Sequence, residues 1–275
     1  MVLKQIMTNT NTPKKTGIRR LFWDIETSPN VVFCWRAGMD NNISHDNILH
    51  ERKIICIGYM WEGDKKASVL RWDKDQDDKA MLERFLLVAN EADELVAHYG
   101  DRFDLPWLRT RCLYHGLPPL PKYKTIDTKA WASKHFYFNS NKLDYIGSFL
   151  GFGHKLDTHF DLWKKIVLQK CGRSLDYMCK YCGRDVELLA KVYEKLRLHV
   201  AAKTHAGVAL GNETWTCSHC GSEDVKKSKT VYSAAGTVKH QMRCNSCHGY
   251  YSISQTAKKG YDESMKKKKK NGSCK

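Results

Sequence analysis

Four acidic side chains and a tyrosine constrain how this chain can fold, because together they form a pattern that only some folds can assemble. Asp24 and Glu26 are two residues apart in an apolar run that predicts a strand, so both should point to the same face of a sheet. Tyr181 and Asp185 are four residues apart in a predicted helix and share one of its faces. Asp104 lies 80 residues after Asp24 and 81 before Asp185. A strand, a loop and a helix must therefore meet if these groups act together.

Each group taken alone also has an ordinary structural interpretation. Acids at a strand end are often only solvated, and Asp104 could simply cap the helix that it begins. Tyr181 could be a half-buried helix residue beside a surface aspartate. The joint pattern favours a metal site, because carboxylates grouped in this way can hold two divalent cations about 3.5–4 Å apart, the arrangement that cleaves phosphodiesters.

Apolar periodicity predicts a mixed α/β domain over residues 18–200. Turn residues at 62–65 predict a hairpin, and Ser174 is the predicted N-cap of the last helix. The predicted strands are 20–26, 31–35, 53–61, 67–72 and 95–98, and the predicted helices are 77–92, 104–115, 143–150 and 174–199. The remaining predicted segments are a basic disordered arm at 1–17, a linker at 201–212, a cysteine module at 213–253 and a Lys-rich tail at 254–275.

The acidic motifs resemble those of a known family. Asp24-Ile-Glu26-Thr27, Phe103-Asp104 and Tyr181-x3-Asp185 are similar to the three motifs of the DEDD superfamily of 3′→5′ exonucleases. The tyrosine marks the DEDDy branch, which includes proofreading domains of family A and B DNA polymerases. Sequence around 104–107, 126–128 and 142–146 also resembles stand-alone exonucleases of phage and bacterial type. The resemblance implies an α/β fold of the RNase H-like kind, with a mixed β-sheet flanked by helices.

The resemblance also implies roles for these residues. Asp24 would bridge two cations, Glu26 and Asp185 would hold the first, and Asp104 would hold the second. Tyr181 would orient the attacking water. All-oxygen ligands favour Mg²⁺ or Mn²⁺.

The chain departs from this family at one position. The second motif usually has Asn five residues before its aspartate, and Tyr99 stands there instead. The four acidic residues are intact, so the departure bears on how the substrate is held. We expect Tyr99 and Phe103 to contact nucleic acid.

Two Cys-x2-Cys pairs lie near the C-terminal end, Cys217 with Cys220 and Cys244 with Cys247. Four thiolates can close a tetrahedral Zn²⁺ site, and a module of about 40 residues can hardly fold without such a metal. The residues between the pairs predict a hairpin, so the module resembles a zinc ribbon.

Other cysteines and histidines are expected to play no part in metal binding. The pair Cys179 and Cys182 lies inside a predicted helix and should be packed. His219 and His248 are spare ligand candidates that we expect to be unused, and His240 is expected to be exposed on the hairpin.

The cysteine module is rich in basic and aromatic residues, which suit phosphates and unpaired bases. A passive structural clip is the alternative. The nucleic-acid contacts predicted here are Trp215, Lys226, Lys227, Lys229, Tyr232, Lys239 and Arg243, with Tyr250 and Tyr251 nearby. Lysines 266–270 would add affinity that depends on salt and not on sequence.

Charge and hydropathy limit the kinds of partner and compartment that we expect for this protein. The net charge is +16, and residues 201–275 carry 14 Lys/Arg against 5 Asp/Glu. No segment has the apolar core of a secretory signal or the length of a membrane span, so we expect a soluble intracellular protein, in host cytoplasm if it is virus-encoded. In such a compartment the 11 cysteines should be reduced thiols and metal ligands.

The leading hypothesis is a stand-alone 3′→5′ exonuclease acting on single-stranded DNA in replication, repair or recombination. Three alternatives stay open: the same chemistry on RNA, a nucleic-acid-binding adaptor without activity, and a structure-specific endonuclease. Replication or repair proteins are possible partners, and no membrane is expected.

Overall fold

The fold is seen in a computed structural model that describes residues 17–36, 38, 42–154 and 156–272, with the side chains of 269–272 outside the description. The predicted basic arm lies outside the described residues apart from Gly17. The described chain divides into two compact units, Arg19–Leu196 and Arg197 onward, the latter together with residues 17–18. The domain boundaries given above remain predictions.

A five-stranded mixed sheet forms the centre of the first unit, in the order β5-β4-β1-β6-β7. The central strand β1 is antiparallel to β4 and parallel to β6. The strands of this unit are β1 (Arg20–Thr27), β2 (Val31–Val32), β3 (Ile48–His50), β4 (Ile54–Trp61), β5 (Ser68–Arg71), β6 (Glu94–Ala97) and β7 (Thr125–Asp127). Its helices are α1 (Lys79–Ala89), α2 (Asp104–Tyr114), α3 (Thr128–His135), α4 (Leu143–Phe149), α5 (Asp161–Val167) and α6 (Gly172–Leu196).

Alternation along β1 places helices on both faces of the sheet. Trp23 points to one face and stacks on Phe85 of α1, with ring centroids 5.1 Å apart. Phe22 points to the other face, where its ring meets Tyr193 of α6 edge-on at 5.3 Å. Because side chains alternate along a strand, Asp24 and Glu26 lie on the same face as Phe22, the α6 face. The mixed α/β fold with a central sheet between helices agrees with the prediction.

Several predicted elements change in extent. The strand predicted at 31–35 is only Val31–Val32, which pairs with β3 in a separate two-stranded sheet. The predicted hairpin at 62–65 is confirmed, since β4 and β5 pair antiparallel on either side of it. The last helix begins at Gly172, so Ser174 lies inside α6 and is not its N-cap.

The second unit is built on a three-stranded antiparallel sheet in the order β10-β9-β8. The predicted hairpin is confirmed as β8 and β9, and a third strand was not predicted. The Lys-rich tail is a helix through residue 272. The elements here are α7 (Ala206–Ala209), β8 (Val225–Tyr232), β9 (Val238–Cys244), β10 (Tyr250–Ser254) and α8 (Gln255–Gly272).

Candidate active site

The first two predicted ligands stand on the central strand. In the pairing of β1 with β4, Asp24 is opposite Gly58 and Glu26 is opposite Cys56. A register shift follows between Glu26 and Thr27, which ends the regular pairing just beyond the two acids. Both carboxylates therefore lie at the end of the central strand, on the face that α6 covers.

The helix α6 brings the third carboxylate to the same place. It can approach β4 closely because Gly58 has no side chain: a Cβ there would lie 3.0 Å from both Cys182 Sγ and Val186 Cγ2. Asp185, only 2% exposed, lies one residue before Val186 on this face. Asp24, Glu26 and Asp185 each place one carboxylate oxygen within 4.8 Å of the others.

Asp104 reaches this site from the other side of β1. Pairing of β1 with β6 ends at Phe22 and Val96, so the N–H of Ile25 has no partner in that strand. The Oδ1 atom of Asp104 accepts this N–H at 3.1 Å. Since Ile25 lies between Asp24 and Glu26, the fourth predicted ligand is fixed beside the first two. Asp104 is 1% exposed and begins α2, as predicted.

Tyr181 lies one helical turn before Asp185 and is half-buried. Its ring packs against a buried cluster that includes Cys56, Met178 and Cys182. This packing fixes the ring and leaves part of the side chain accessible. The arrangement is compatible with the role predicted for the phenol.

A buried thiol supports Asp24, and sequence reasoning did not assign it this place. The Sγ atom of Cys182 donates to the main-chain carbonyl of Asp24 at 3.5 Å. A hydrogen bond with Cys56 lowers the pKa of Cys182, but burial and the charges of Asp24, Glu26 and Asp185 raise it to about 12 overall. Cys182 therefore stays a neutral donor at pH 7. The packed state predicted for it is observed, and Cys179 is also a free cysteine packed against the same cluster.

Tyr99 and Phe103 are both partly exposed beside Asp104. Tyr99 is 38% exposed and Phe103 is 39% exposed. Tyr99 adopts the left-handed backbone region at φ +74°, which is uncommon for a residue other than glycine. The two predicted contact residues thus lie next to one of the predicted ligands, with ring surface available.

Other acidic residues outside the three motifs have structural roles. Asp127 is the N-cap of α3, where its side chain accepts the N–H groups of Lys129 and Ala130. Asp161 is the first residue of α5. A further cluster of possible ligands, Asp77, Asp78 and His115, is filled by Arg111, whose guanidinium donates to both carboxylate oxygens of Asp78 at 2.7 and 2.8 Å.

The four cysteines of the second unit come together as predicted. One sulfur from each lies within 4.8 Å of the others. The sulfurs of Cys217 and Cys247 are 3.6 Å apart, as are those of Cys220 and Cys244. Four thiolates on a tetrahedral Zn²⁺ with Zn–S bonds of about 2.3 Å would be roughly 3.8 Å apart, so the spacing fits this ion.

Two predictions for the second unit are wrong about exposure. His240 is buried, and its ring nitrogens contact Thr230 Oγ1 at 3.2 Å and Gln255 Oε1 at 2.6 Å. Trp215 is 4% exposed and packs edge-on against Tyr261, with ring centroids 5.6 Å apart. Strand alternation and the unpredicted helix α8 explain both, because α8 covers the face on which these rings lie. Trp215 is therefore a core residue and has no surface for stacking on a base.

The opposite face of this sheet is basic. Arg243 is opposite both Lys226 and Tyr250, and alternation along β9 puts Lys239 on the same face. Lys229 stands in the row between them, opposite Gln241. Lys227 pairs with Met242, and Tyr232 pairs with Val238, so these two residues belong to the rows on the covered face. Both side chains are nevertheless exposed, because β8 lies at the edge of the sheet. Tyr251 is buried, and its hydroxyl donates to the carbonyl of Trp215 at 2.8 Å.

Among the described residues, none of the helices is long and apolar enough to cross a bilayer.

Comparison with known families matches the RNase_H_2 family, described as the RNase_H superfamily, over residues 43–197, more than half of the chain. The chain belongs to the RNase_H superfamily. Membership supports a nuclease function that uses divalent metals. The matched region of this RNase_H-superfamily chain includes Asp104, Tyr181 and Asp185, while Asp24 and Glu26 stand on β1, which precedes the matched region.

A solved structure gives a weaker likeness. The family B DNA polymerase from the hyperthermophilic archaeon Pyrobaculum calidifontis is 15% identical over 66% of this chain and 25% of that chain, with a TM-score of 0.49. The chain thus spans about a quarter of that polymerase. No curated protein matches the chain in sequence.

Proposed function

We propose that this RNase_H-superfamily protein is a metal-dependent 3′→5′ exonuclease that hydrolyses the terminal phosphodiester of single-stranded DNA. One observation carries the proposal: Asp24, Glu26 and Asp185 bring carboxylate oxygens within 4.8 Å of one another, while Asp104 is held beside them by the N–H of Ile25. Replication, repair or recombination would be the setting of this activity.

Asp24, Glu26, Asp104 and Asp185 would hold two Mg²⁺ or Mn²⁺ ions. Their oxygen donors suit hard divalent cations. When bound, two such ions would lower the pKa of a water and stabilise negative charge on the leaving 3′-oxygen. The neutral thiol of Cys182 supports this arrangement, because it fixes the main chain at Asp24 without adding charge to the site.

Tyr181 would position the attacking water. Its ring packs against the buried cluster that contains Met178 and Cys182, which restricts the movement of the side chain. A phenol is neutral at pH 7 and both donates and accepts hydrogen bonds. Tyr181 can therefore orient a water without competing with the carboxylates for a cation.

Cys217, Cys220, Cys244 and Cys247 would hold one structural Zn²⁺, and the basic face of this sheet would bind the phosphates of the strand. The strands β8, β9 and β10 contain five Lys/Arg and no acidic residue. Lys226, Lys229, Lys239 and Arg243 share the open face, and Lys227 and Tyr232 are exposed on β8 at the edge of the sheet. Lysines 266–270, which lie on α8, would add nonspecific affinity.

A time course on 5′-labelled single-stranded DNA with Mg²⁺ or Mn²⁺ tests this function. The expected result is a metal-dependent ladder that shortens from the 3′ end, is absent in Asp24→Ala and persists in the control Asp161→Ala. Circular DNA should survive, because an exonuclease needs an end. Cleavage of the circle would indicate an endonuclease, faster loss of a matched RNA would make it a ribonuclease, and binding without cleavage would indicate an adaptor.

A further inference from the structure

Three thiols meet between β4 and α6, beside the carboxylate site. Cys56 is buried on β4, and its thiol forms hydrogen bonds with the thiols of Cys179 and Cys182 on α6. Cys182 in turn donates to the main-chain carbonyl of Asp24. A series of sulfur contacts therefore leads from Cys179 to the strand that carries Asp24. We call these three cysteines the thiol cluster.

The surroundings of Cys179 make it the reactive member of the thiol cluster. It is partly exposed, whereas Cys56 and Cys182 are buried. Arg71 stands opposite Cys56 in the pairing of β4 with β5, and its guanidinium forms a hydrogen bond with Cys179. The hydrogen bond with Cys56 lowers the pKa of Cys179, and the charge of Arg71 lowers it further. Burial and the charge of Asp176 act in the opposite direction, but the pKa is lowered overall. The thiolate is the form of cysteine that reacts with oxidants.

A cavity gives small molecules access to this side of α6. Its volume is about 320 Å³, and its lining includes Arg71, Leu175 and Asp176. Leu175 lies one helical turn before Cys179, and Arg71 borders both the cavity and the sulfur of Cys179. A small polar oxidant can therefore approach Cys179 from solvent, while the buried Cys56 waits behind it.

Two other interpretations of the thiol cluster fit the structure less well. Among the described residues, its three sulfurs do not form a group within 4.8 Å of one another, as the four cysteines of the second unit do, so a shared metal ion is not indicated. Cys112 shows how a cysteine behaves when it only fills a core: burial, with the charge of Asp78, raises its pKa to about 11. Cys179 differs from it in having a thiol partner, a cation and access to solvent.

We propose that Cys179 and Cys56 are a peroxide-reactive pair whose disulfide joins α6 to β4 and slows the active site. The Cys179 thiolate attacks one oxygen of hydrogen peroxide, the O–O bond breaks, and a sulfenic acid and hydroxide are formed. The sulfur of Cys56 then attacks the sulfenic sulfur, the S–O bond breaks, and the hydroxyl leaves as water with the proton of the Cys56 thiol. Peroxide accepts two electrons, and the two thiols supply them.

The disulfide would disturb the proposed catalytic groups on both elements. It brings two sulfurs much closer than a hydrogen bond does, so it draws α6 toward β4. The helix α6 carries Tyr181 and Asp185, and Cys56 is opposite Glu26 in the pairing of β4 with β1. A displacement of about 1 Å at such groups can cost about 100-fold in rate. This consequence rests on the proposed function, whereas the disulfide itself does not.

Peptide mapping identifies the pair without any measurement of activity. Full-length protein is treated with hydrogen peroxide, its remaining thiols are blocked with iodoacetamide, and it is digested with trypsin. The three thiols fall into the separate peptides 54–65, 174–180 and 181–184, because trypsin cleaves after Lys and Arg. We expect peptide 54–65 to be linked to 174–180, and dithiothreitol to remove the link. Absence of this link, or a link between 174–180 and 181–184 in its place, would overturn the proposal.

Variants separate this pair from the other thiols. Peroxide should lower the kcat of the wild type by at least about 10-fold, and dithiothreitol should restore it. Cys179→Ser should have normal basal activity that resists peroxide. Cys171→Ser is the control, because Cys171 lies just before α6 and forms its hydrogen bond with Ser174, so this variant should be inhibited like the wild type. A thermal melt before oxidation checks that each variant is folded.

A third variant tests which cysteine is oxidised first. Arg71→Met removes the cation beside Cys179, so the link should form up to about 10-fold more slowly, the change in thiolate that one pKa unit produces. An unchanged rate would contradict the role of Cys179 as the attacking thiolate.

The inference and the proposed function fail by different results. Equal inhibition of the wild type and Cys179→Ser would overturn the effect of the pair on the active site and would indicate oxidation of the four cysteines in the second unit. Absence of metal-dependent cleavage before any oxidation would contradict the exonuclease, and the peptide map would still decide whether Cys56 and Cys179 form the disulfide.

Discussion

At the scale of single residues, a substitution of Asp104 can separate two roles of its side chain. One is structural, to accept the N–H of Ile25, and the other is the proposed binding of a cation. Asp104→Asn retains an Oδ1 that can accept the N–H of Ile25, but it removes the charge. We expect the free energy of unfolding to change by about 1 kcal/mol or less. Cleavage with Mg²⁺ should fall by at least about 100-fold, since even the outer partners of a metal ligand matter by 10–100-fold. Denaturant titration and kcat measure the two effects, and normal cleavage would remove Asp104 from the site.

Tyr181 can be tested against a tyrosine one turn earlier on the same helix. Tyr181→Phe keeps the ring that packs near Cys182 and removes the hydroxyl, so kcat should fall on the order of 100-fold while KM changes little. Tyr177→Phe is the control, because its hydroxyl donates to the carbonyl of Asp157 at 2.9 Å. Equal rates in the two variants would show that the phenol of Tyr181 is not used.

Residue spacing predicted which side chains share a face of one element, because strand and helix periods are local; that the carboxylates of β1, α2 and α6 act together was implied by the resemblance of the joint pattern to a family. Asp24 with Glu26, and Tyr181 with Asp185, follow from intervals of two and four residues. The hydrogen bonds from Cys182 to Asp24 and from Ile25 to Asp104 could not be predicted from spacing. They depend on how α6 and α2 approach β1. The burial of Trp215 was not predicted for a similar reason. It depends on packing against α8, and the lysine-rich sequence of α8 did not predict a helix.

At the scale of elements, Gly58 sets the distance between β4 and α6. An alanine Cβ there would lie 3.0 Å from Cys182 Sγ and 3.2 Å from the carbonyl of the same residue. Gly58→Ala should destabilise the protein by about 1–3 kcal/mol through overpacking. It should also lower kcat, because α6 carries Asp185.

The matched control for Gly58 is Gly172→Ala at the start of the same helix. A Cβ at Gly172 would meet no atom within 4 Å. Urea titration and kcat should both show near wild-type values for this variant. If the two variants behave alike, the close approach at Gly58 does not position α6.

Long periodic elements were predicted better than short ones. The helices α1, α2 and α6, of 11 to 25 residues, agree with the sequence to within a few residues, because each has an apolar face; the seven-residue α4 is a short element that was also predicted. The short helices α3 and α5 and the strand β7 were missed, since three to eight residues hold too few apolar positions to show a period. The lysine-rich α8 was missed because its helical state depends on packing against β9 and β10.

At the scale of the first unit, the buried ion pair of Asp78 with Arg111 links the start of α1 to α2 and β4. Burial would raise the pKa of Asp78, but hydrogen bonds from Arg111 and His115 outweigh it, and the pKa is lowered. Asp78 also accepts the N–H of Ile54 at 3.1 Å. Removing the charge leaves Arg111 buried without its counter-ion, so Asp78→Asn should cost about 3–5 kcal/mol of unfolding free energy.

The direction of the pH effect follows from the lowered pKa. Unfolded Asp78 titrates near pH 4, and the folded carboxyl titrates below that. The stabilisation is therefore complete above about pH 4 and disappears as pH falls through the folded pKa. Urea titrations from pH 7 to pH 3 should show wild type and Asp78→Asn converging at the acid end. A constant difference would mean that the ion pair does not contribute through its charge.

The cysteine site of the second unit can be tested by its metal content, with the other Cys-x2-Cys pair as control. Cys217→Ser should lose Zn²⁺ and Cys179→Ser should retain one ion per chain, because only the former belongs to the four-sulfur group. A unit of this size depends on its metal to fold. Chelation should therefore speed amide hydrogen exchange in β8, β9 and β10 to unfolded rates. Slow exchange that survives complete removal of zinc would show that Trp215, Met242 and Tyr251 form a sufficient core.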